Sequence, residues 1–284
     1  MPEARPDGDH DRYTVPGLER GLRILAEFSR GEPTLTAPEL ARRLGVPRST
    51  VFRLLVTLEN MGFVQRTSDG RAYRLGLAVL RLGFEVLGSL DIVELGRPIL
   101  ERVRDATGLG ASLVVRDGRE VVYIVRAASA SPFASSVTVG TRLPAHATVM
   151  GHALLSELSL SELRKLYPEP RLESRSAHTP ATTEALFELA QRVRQQGHVL
   201  ADAFFESHIS TVAAPVHGEQ GQVVAAIGVT VPGGRIAHEQ RAALVAQVRG
   251  AAMELSTLLN YHEDPRASAN VVDVTARVAK KRAR

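Results

Sequence analysis

The sequence predicts an α+β chain in two parts, a small basic helical unit followed by a larger antiparallel sheet flanked by helices. Three observations predict it. Two short helical patterns lie either side of Gly45-Val46-Pro47 near the N-terminus. The longer remainder alternates strand-period and helix-period segments, with helices before, within and after the strands. The charge changes sign between the parts. Residues 13–75 hold ten arginines against six carboxylates, and residues 91–264 hold sixteen basic against nineteen acidic side chains. Only the first part is therefore suited to a polyanion.

Residues 1–12 are charged and lack an apolar period, so they read as disordered. A helix is expected over Pro16–Ser29, with Leu18, Leu22, Leu25 and Ala26 as its core face, widened by Ile24 and Phe28. Gly31-Glu32-Pro33 stops it. Thr36 and Pro38 then start a second helix, whose face is Leu40, Ala41 and Leu44 and whose end is Gly45. The third helix opens at Pro47, buries Val51, Leu54, Leu55 and Leu58, and closes at Gly62. Two helices around so short a glycine turn make a helix-turn-helix candidate. The second of them carries Arg48, Ser49, Thr50 and Arg53 in its first turns, groups that bond phosphates and base edges. Thr36, at the start of the first, is counted with them as a DNA-binding candidate.

Phe63–Arg66, a Thr67-Ser68-Asp69-Gly70 turn and Arg71–Leu75 read as a hairpin, that is, a wing. Arg66, Arg71 and Arg74 would set cations along it, with Arg66 and Arg71 expected on the phosphate backbone of double-stranded DNA. Residues 13–75 thus form a winged helix-turn-helix unit. Residues 76–90 follow as a linker helix, apolar on most faces, as a segment that packs on a second copy would be.

In residues 91–264 Asp91 caps a helix over Ile92–Thr107 with face Ile92, Leu95, Ile99, Val103 and Ala106. Ala111–Arg116 and Glu120–Arg126 form a hairpin on Asp117-Gly118. A short strand is expected near Ser135–Val139, then helices over Val149–Leu155, Leu160–Leu166 and Thr182–Gln196. His198–Phe205, Thr211–Val216 and Gln222–Val231 read as strands, and a helix over Ala237–Tyr261 ends the part. Residues 265–284 read as a basic disordered tail with six basic groups and one acid.

Composition excludes several functions. Without cysteine there is no disulfide, thiolate catalysis or Cys-type zinc site. No apolar run approaches membrane-spanning length, and the polar, acidic N-terminus is unlike a signal peptide, so the expectation is a cytoplasmic protein with no membrane partner. His146 and His152 lie six apart and His208 and His217 straddle a strand, poor spacings for one metal, so no metal site is assigned. There is no phosphate loop, and no cofactor is expected. Ser135-Ser136 and Ser207-His208 lack a strand-to-helix elbow, and no catalytic residue is assigned. The alternative kept open is an enzyme acting on a small acid with an accessory winged helix, although no acid–base pair stands at readable spacing. Turnover discriminates the two.

Leu18–Leu25, Leu40–Leu55, Tyr73-Arg74-Leu75-Gly76, Leu143-Pro144-Ala145-His146-Ala147-Thr148 with Gly151, and Val212–Val216 together resemble the bacterial IclR-type transcriptional regulators, over about residues 13–262. The resemblance implies a GAF-like effector-binding domain after the linker, dimers or tetramers on palindromic operators, and a small organic-acid effector held between the sheet and the loop Ala145–Gly151. It implies that Val149 and Met150 offer backbone amides to a carboxylate, within a loop that also holds His146, Ala147, Thr148 and Gly151. Strand positions facing the ligand fall on Thr211, Gly228 and Thr230, and an acidic position falls on Ala201, with Asp202 beside it. The chain departs from the pattern of glyoxylate- and pyruvate-sensing relatives, because Ala201 is not acidic, Gly228 has no hydroxyl and Thr211 replaces a cysteine. With Leu143, Met150, Phe204 and Phe205 as walls, the expected effector is aromatic or otherwise larger than pyruvate.

Overall fold

The computed structural model describes residues 14–29, 31–82, 91–129 and 137–261. The chain divides into two compact units, Met1–Ser89 and Leu90–Arg284. The N-terminal twelve residues, the tail after 265 and residues 83–90 of the expected linker helix lie outside the described residues, while 78–82 are helical.

The first unit contains α1 (Pro16–Ala26), β1 (Leu35–Thr36), α2 (Ala37–Leu44), α3 (Arg48–Asn60), β2 (Val64–Arg66) and β3 (Ala72–Leu75). The ends of α2 follow from its sequence. The Thr36 hydroxyl accepts from the Glu39 amide while the Glu39 carboxylate accepts from the Thr36 amide, a reciprocal cap. Gly45 ends the helix at φ +65°, where a Cβ would be strained. Helix α3 buries Val51 and Leu55 fully, with Leu54 and Leu58 packed at the margin of a core that includes Ile24, Leu40, Val64 and Tyr73. The wing turn is tied by Asp69, which accepts from the Thr67 hydroxyl and the Arg71 amide. Strand β3 is central in a three-stranded sheet of order β1-β3-β2, because Leu35 and Thr36 pair with Tyr73 and Ala72. That two-residue strand has no period to read in sequence.

Helix α1 departs from expectation. It is shorter, and it turns Gly21 and Ile24 inward, with Phe28 buried just beyond its end, while Leu18 and Leu22 stay 63% and 59% exposed and Ala26 is exposed. Its apolar arc is wider than one helix contact can cover, and the packing of α1 on α3 and α2 chose the other side of that arc.

The second unit holds α4 (Asp91–Thr107), β4 (Gly110–Asp117), β5 (Glu120–Ala127), β6 (Arg142–Pro144), a 3₁₀ turn (Ala145–Ala147), α5 (Val149–Leu154), α6 (Leu160–Leu166), α7 (Thr183–Gln196), β7 (Val199–Ala201), β8 (Ile209–His217), β9 (Val223–Pro232) and α8 (His238–Leu258). The strands form one antiparallel sheet of order β6-β5-β4-β9-β8-β7. Helices α4 and α8 cover one face, where Leu113 reaches Gly96, and α5 with α7 covers the other, where Met150 reaches Gly228.

Several boundaries differ from the reading above. Helix α4 buries Val93, Gly96 and Leu100 besides Ile92, Ile99 and Val103, while Leu95 is half-buried and Ala106 exposed. Strand β7 covers only Val199–Ala201, because Ala203 takes φ +50° and Asp202 turns away to accept from the Ile236 amide and pair with Arg241. Of the strand expected near Ser135–Val139, the first two residues lie outside the described residues and Val137–Val139 is irregular. Edge strand β6, containing a proline, went unforeseen.

Candidate functional site

In the first unit Arg48, Ser49 and Arg53 are exposed at the start of α3, and Thr50 is half-buried. At 100° per residue, Ser49, Arg53, Val56 and Asn60 run along the side opposite Val51 and Leu55, so this stripe faces away from the core. Arg48, Arg53 and Arg71 form no ion pair among the described residues, which leaves their charge for an external anion. Thr36 is engaged differently. Its hydroxyl also donates to Glu39 Oε2 at 2.7 Å, and the residue is half-buried, so its first duty is the cap.

Arg66 is committed as well. Its Nε donates to both Glu59 carboxylate oxygens at 3.1 Å, and its guanidinium lies 5.1 Å from the Tyr73 ring centre and 6.0 Å from that of Phe52. The Glu59 hydrogen bond, foremost, raises the Arg66 pKa and keeps it charged. Arg66 thus ties the wing to α3, where the sequence reading placed it on phosphate. Phe52, 51% exposed beside it, was not singled out, although an aromatic between two polar turns of α3 was a signal.

In the second unit a cavity of about 50 Å³ lies between the sheet and α5. Leu143, Thr148, Val149, Met150, Phe204, Phe205, Thr211 and Thr230, all named above for the effector, line it together with Tyr123, Val137, Glu206 and Ile209. Thr211 and Thr230 are direct cross-strand partners, which brings their side chains onto one face. Thr148 caps α5 by accepting from the Gly151 amide at 3.2 Å, and its hydroxyl donates to the Pro144 carbonyl. Val149 and Met150 occupy the first turn, whose amides have no intrahelical acceptor.

Five expected effector residues do not line the cavity. His146 donates from Nε2 to the Glu173 carbonyl at 2.8 Å and packs edge-on to Tyr167, so it anchors the loop. Ala147 is fully buried. Gly151 is a close-approach position, where a Cβ would stand 2.0 Å from the Ala145 carbonyl oxygen. Gly228 lies beneath Met150, where a Cβ would meet Sδ at 2.5 Å and the Val212 carbonyl at 2.8 Å. A larger residue there would strike the methionine and the sheet backbone rather than fill an open pocket. Asp202 is held by Arg241 and Ile236. Burial opposes its ionisation, but the Ile236 amide, the Arg241 charge and the Ser210 hydroxyl outweigh it and lower its pKa.

Tyr123 and His152 are among the other perturbed groups on this side of the sheet. Burial pushes Tyr123 up to about 12, so its phenol stays protonated. His152 is buried, donates from Nε2 to the His146 carbonyl at 2.9 Å and packs edge-on to Phe204; burial holds its pKa down to about 4, so it is neutral. Among the described residues no group of three or more His, Cys, Asp or Glu is placed to hold a metal ion, and no helix is long and apolar enough to cross a membrane.

Two family descriptions match the chain: the IclR helix-turn-helix domain over residues 17–68, and the bacterial transcriptional regulator IclR C-terminal region over residues 84–257. The Pca regulon regulatory protein of Pseudomonas putida is 34% identical over 234 residues, 82% of this chain and 79% of its own. The regulator XynR of Escherichia coli is 30% identical over 247 residues, 87% of this chain and 98% of its own. A transcriptional regulator from Rhodococcus sp. RHA1 superposes with TM-score 0.76 at 30% identity, covering 87% of this chain and 98% of that one. An IclR homologue from Microbacterium hydrocarbonoxydans, solved with 4-hydroxybenzoate, superposes with TM-score 0.75 at 27% identity, covering 86% and 98%.

Proposed function

Because the chain belongs to the IclR family of bacterial transcriptional regulators, we propose that the cavity beneath α5 takes a small organic acid whose occupancy changes the affinity of the helix-turn-helix unit for operator DNA. The family is one of ligand-responsive DNA-binding regulators rather than enzymes, so the acid is returned unchanged. The observation that carries this reading is the cavity itself. It brings the cross-strand pair Thr211 and Thr230, the first turn of α5 and the side chains of Leu143, Met150 and Phe204 around one cavity.

On the DNA side the reading assigns base and phosphate contacts to Arg48, Ser49, Thr50 and Arg53, at the start of the helix that in such folds enters the major groove. Arg71, which forms no ion pair among the described residues, is assigned to phosphate on the wing. Self-association as a dimer or tetramer on an inverted repeat is supported by the exposed apolar side chains Leu18, Leu22, Leu77, Leu80 and Leu82, more apolar surface than a solitary small unit usually leaves in water.

The effector proposed is an aromatic monocarboxylic acid, larger than pyruvate. Support comes from the apolar walls and from the relative whose structure holds 4-hydroxybenzoate. A cavity of about 50 Å³ is well below the roughly 150 Å³ in which an engineered apolar site takes benzene, so a ring requires Met150 to swing off Gly228. Methionine, unbranched and with three rotatable bonds, is suited to that movement.

The test is a thermal-shift screen of aromatic and aliphatic acids, followed by operator titrations with and without each hit. A true effector changes operator affinity by a factor equivalent to about 1–3 kcal/mol, and operator DNA changes effector affinity by the same factor. Ligands that stabilise the protein while leaving operator affinity unmoved would defeat the reading.

A further inference from the structure

Strand β5 carries a bulge opposite Leu113 and Val114. Leu113 pairs with Val125 but Val114 pairs with Tyr123, which leaves Ile124 as the extra residue. Without it Tyr123 and Arg126, three residues apart, would point to opposite faces of the sheet. With it both point to the face that holds the cavity. The pairings confirm the side. Arg126 is opposite Ser112, Ser112 is opposite Gly228 on β9, and Gly228 is the residue that Met150 covers. Gly110, opposite the cavity residue Thr230, has the Arg126 guanidinium 4.0 Å from where its Cβ would stand.

Arg126 is half-buried, and among the described residues it forms no hydrogen bond and no ion pair. The neighbouring Ser112, buried on the same row, makes no side-chain hydrogen bond among them either. Burial lowers the Arg126 pKa, and the nearby Tyr123 works the other way. A guanidinium drawn partly out of water gains from a counter-anion, because the desolvation of its covered part is otherwise uncompensated. Among the described residues the carboxylate on the cavity wall, Glu206, is 3.4 Å from His208 and not paired with Arg126.

We propose that Arg126, with the Ser112 hydroxyl beside it, is the anion-binding end of the effector site and receives the effector's carboxylate. This rests on the sensing reading given above. It adds a source of specificity: the acid is chosen over its neutral isostere by a planar, two-donor partner, and Glu206 disfavours a second negative charge on the ligand.

The experiment uses the full chain and two probes of one shape, 4-hydroxybenzoate and its uncharged amide, with the other monocarboxylates and dicarboxylates of the screen beside them. In calorimetry the parent should bind monocarboxylates better than the matching amides or dicarboxylates. Arg126→Gln should weaken monocarboxylate binding by about tenfold or more while leaving amide binding as it was, and Arg126→Lys should recover part of the loss. Operator affinity without ligand should not move, and the ligand-free Arg126→Gln protein should melt no lower than the parent, since a partnerless charge has been removed. If Arg126→Gln binds the acid as the parent does, or loses acid and amide equally, Arg126 is not the anion site, whereas the sensing reading survives. If no monocarboxylate binds the parent, the sensing reading itself fails and this assignment with it.

Discussion

The wing and the cavity face of the large sheet each set an arginine near a tyrosine, and they use it in opposite ways. Arg66 lies between Phe52 and Tyr73 and spends its charge on Glu59 within the same unit. Arg126 lies near Tyr123 with no acid in reach among the described residues. A cationic hairpin in the sequence makes Arg66 look like the functional residue, while Arg126, closing a plain aliphatic strand, attracts no notice. What separates them is the partner, and the partner comes from elsewhere in the fold: Glu59 from α3 in one case, none among the described residues in the other. An arginine with an internal carboxylate is a brace, and one without is a receptor.

That contrast depends first on the cavity wall, where α5 packs closely on the turn before it. Gly151→Ala would drive a Cβ to 2.0 Å from the Ala145 carbonyl oxygen, with the backbone unable to yield as a flexible side chain could. A loss of about 3 kcal/mol or more is expected in urea unfolding. An unchanged midpoint would mean the turn can shift, and the cavity wall would not be the rigid element described above.

The same wall contains His152, whose folded pKa of about 4 lies below its unfolded value of 6.5. Above pH 6.5 both states are neutral and the fold keeps its full stability. Between 6.5 and about 4 the unfolded chain takes up the proton that the native state refuses. Stability should therefore fall by up to about 1.4 kcal/mol per pH unit in that window, and the slope should end below it. His152→Asn should flatten the slope; an unaltered pH profile in the variant would assign the acid sensitivity to other groups.

On the DNA side the expected effects are smaller and discriminate the two kinds of arginine directly. Arg53→Ala should cost about 1–3 kcal/mol of specific operator binding, measured against nonspecific DNA of the same length. Equal losses on both DNAs would move Arg53 from base reading to phosphate contact. Arg71→Ala should weaken all sequences alike and flatten the salt slope by about one unit. Arg66→Met should loosen the wing yet leave that slope near the parent's, because its charge is already neutralised by Glu59. If the slope falls as much as for Arg71→Ala, Arg66 releases Glu59 on binding and the brace is only a resting state.

Much of the first unit was legible because its signals are local. The cap at Thr36, the left-handed end at Gly45, the Asp69-Gly70 turn and the buried pair Val51 and Leu55 each follow from a few neighbouring residues. The face of α1 was not, since its leucines and isoleucine offer two workable stripes and only contact with α2 and α3 selects one.

In the second unit the sequence by itself determined the α+β class, the Asp117-Gly118 hairpin, the helices flanking the sheet, and, through resemblance, that Met150, Thr211 and Thr230 belong together. Tertiary structure alone decided which side chains share the cavity. A single bulged residue, Ile124, brings Tyr123 and Arg126 to one face, and no composition or period announces it. Asp202 was drawn away by Arg241, thirty-nine residues later, and Gly228 was roofed by Met150. Local propensities depend on neighbours in the chain, so sequence carries them. The burial of a charge, and whether it finds a partner, depends on neighbours in space, which long-range pairing must first bring together.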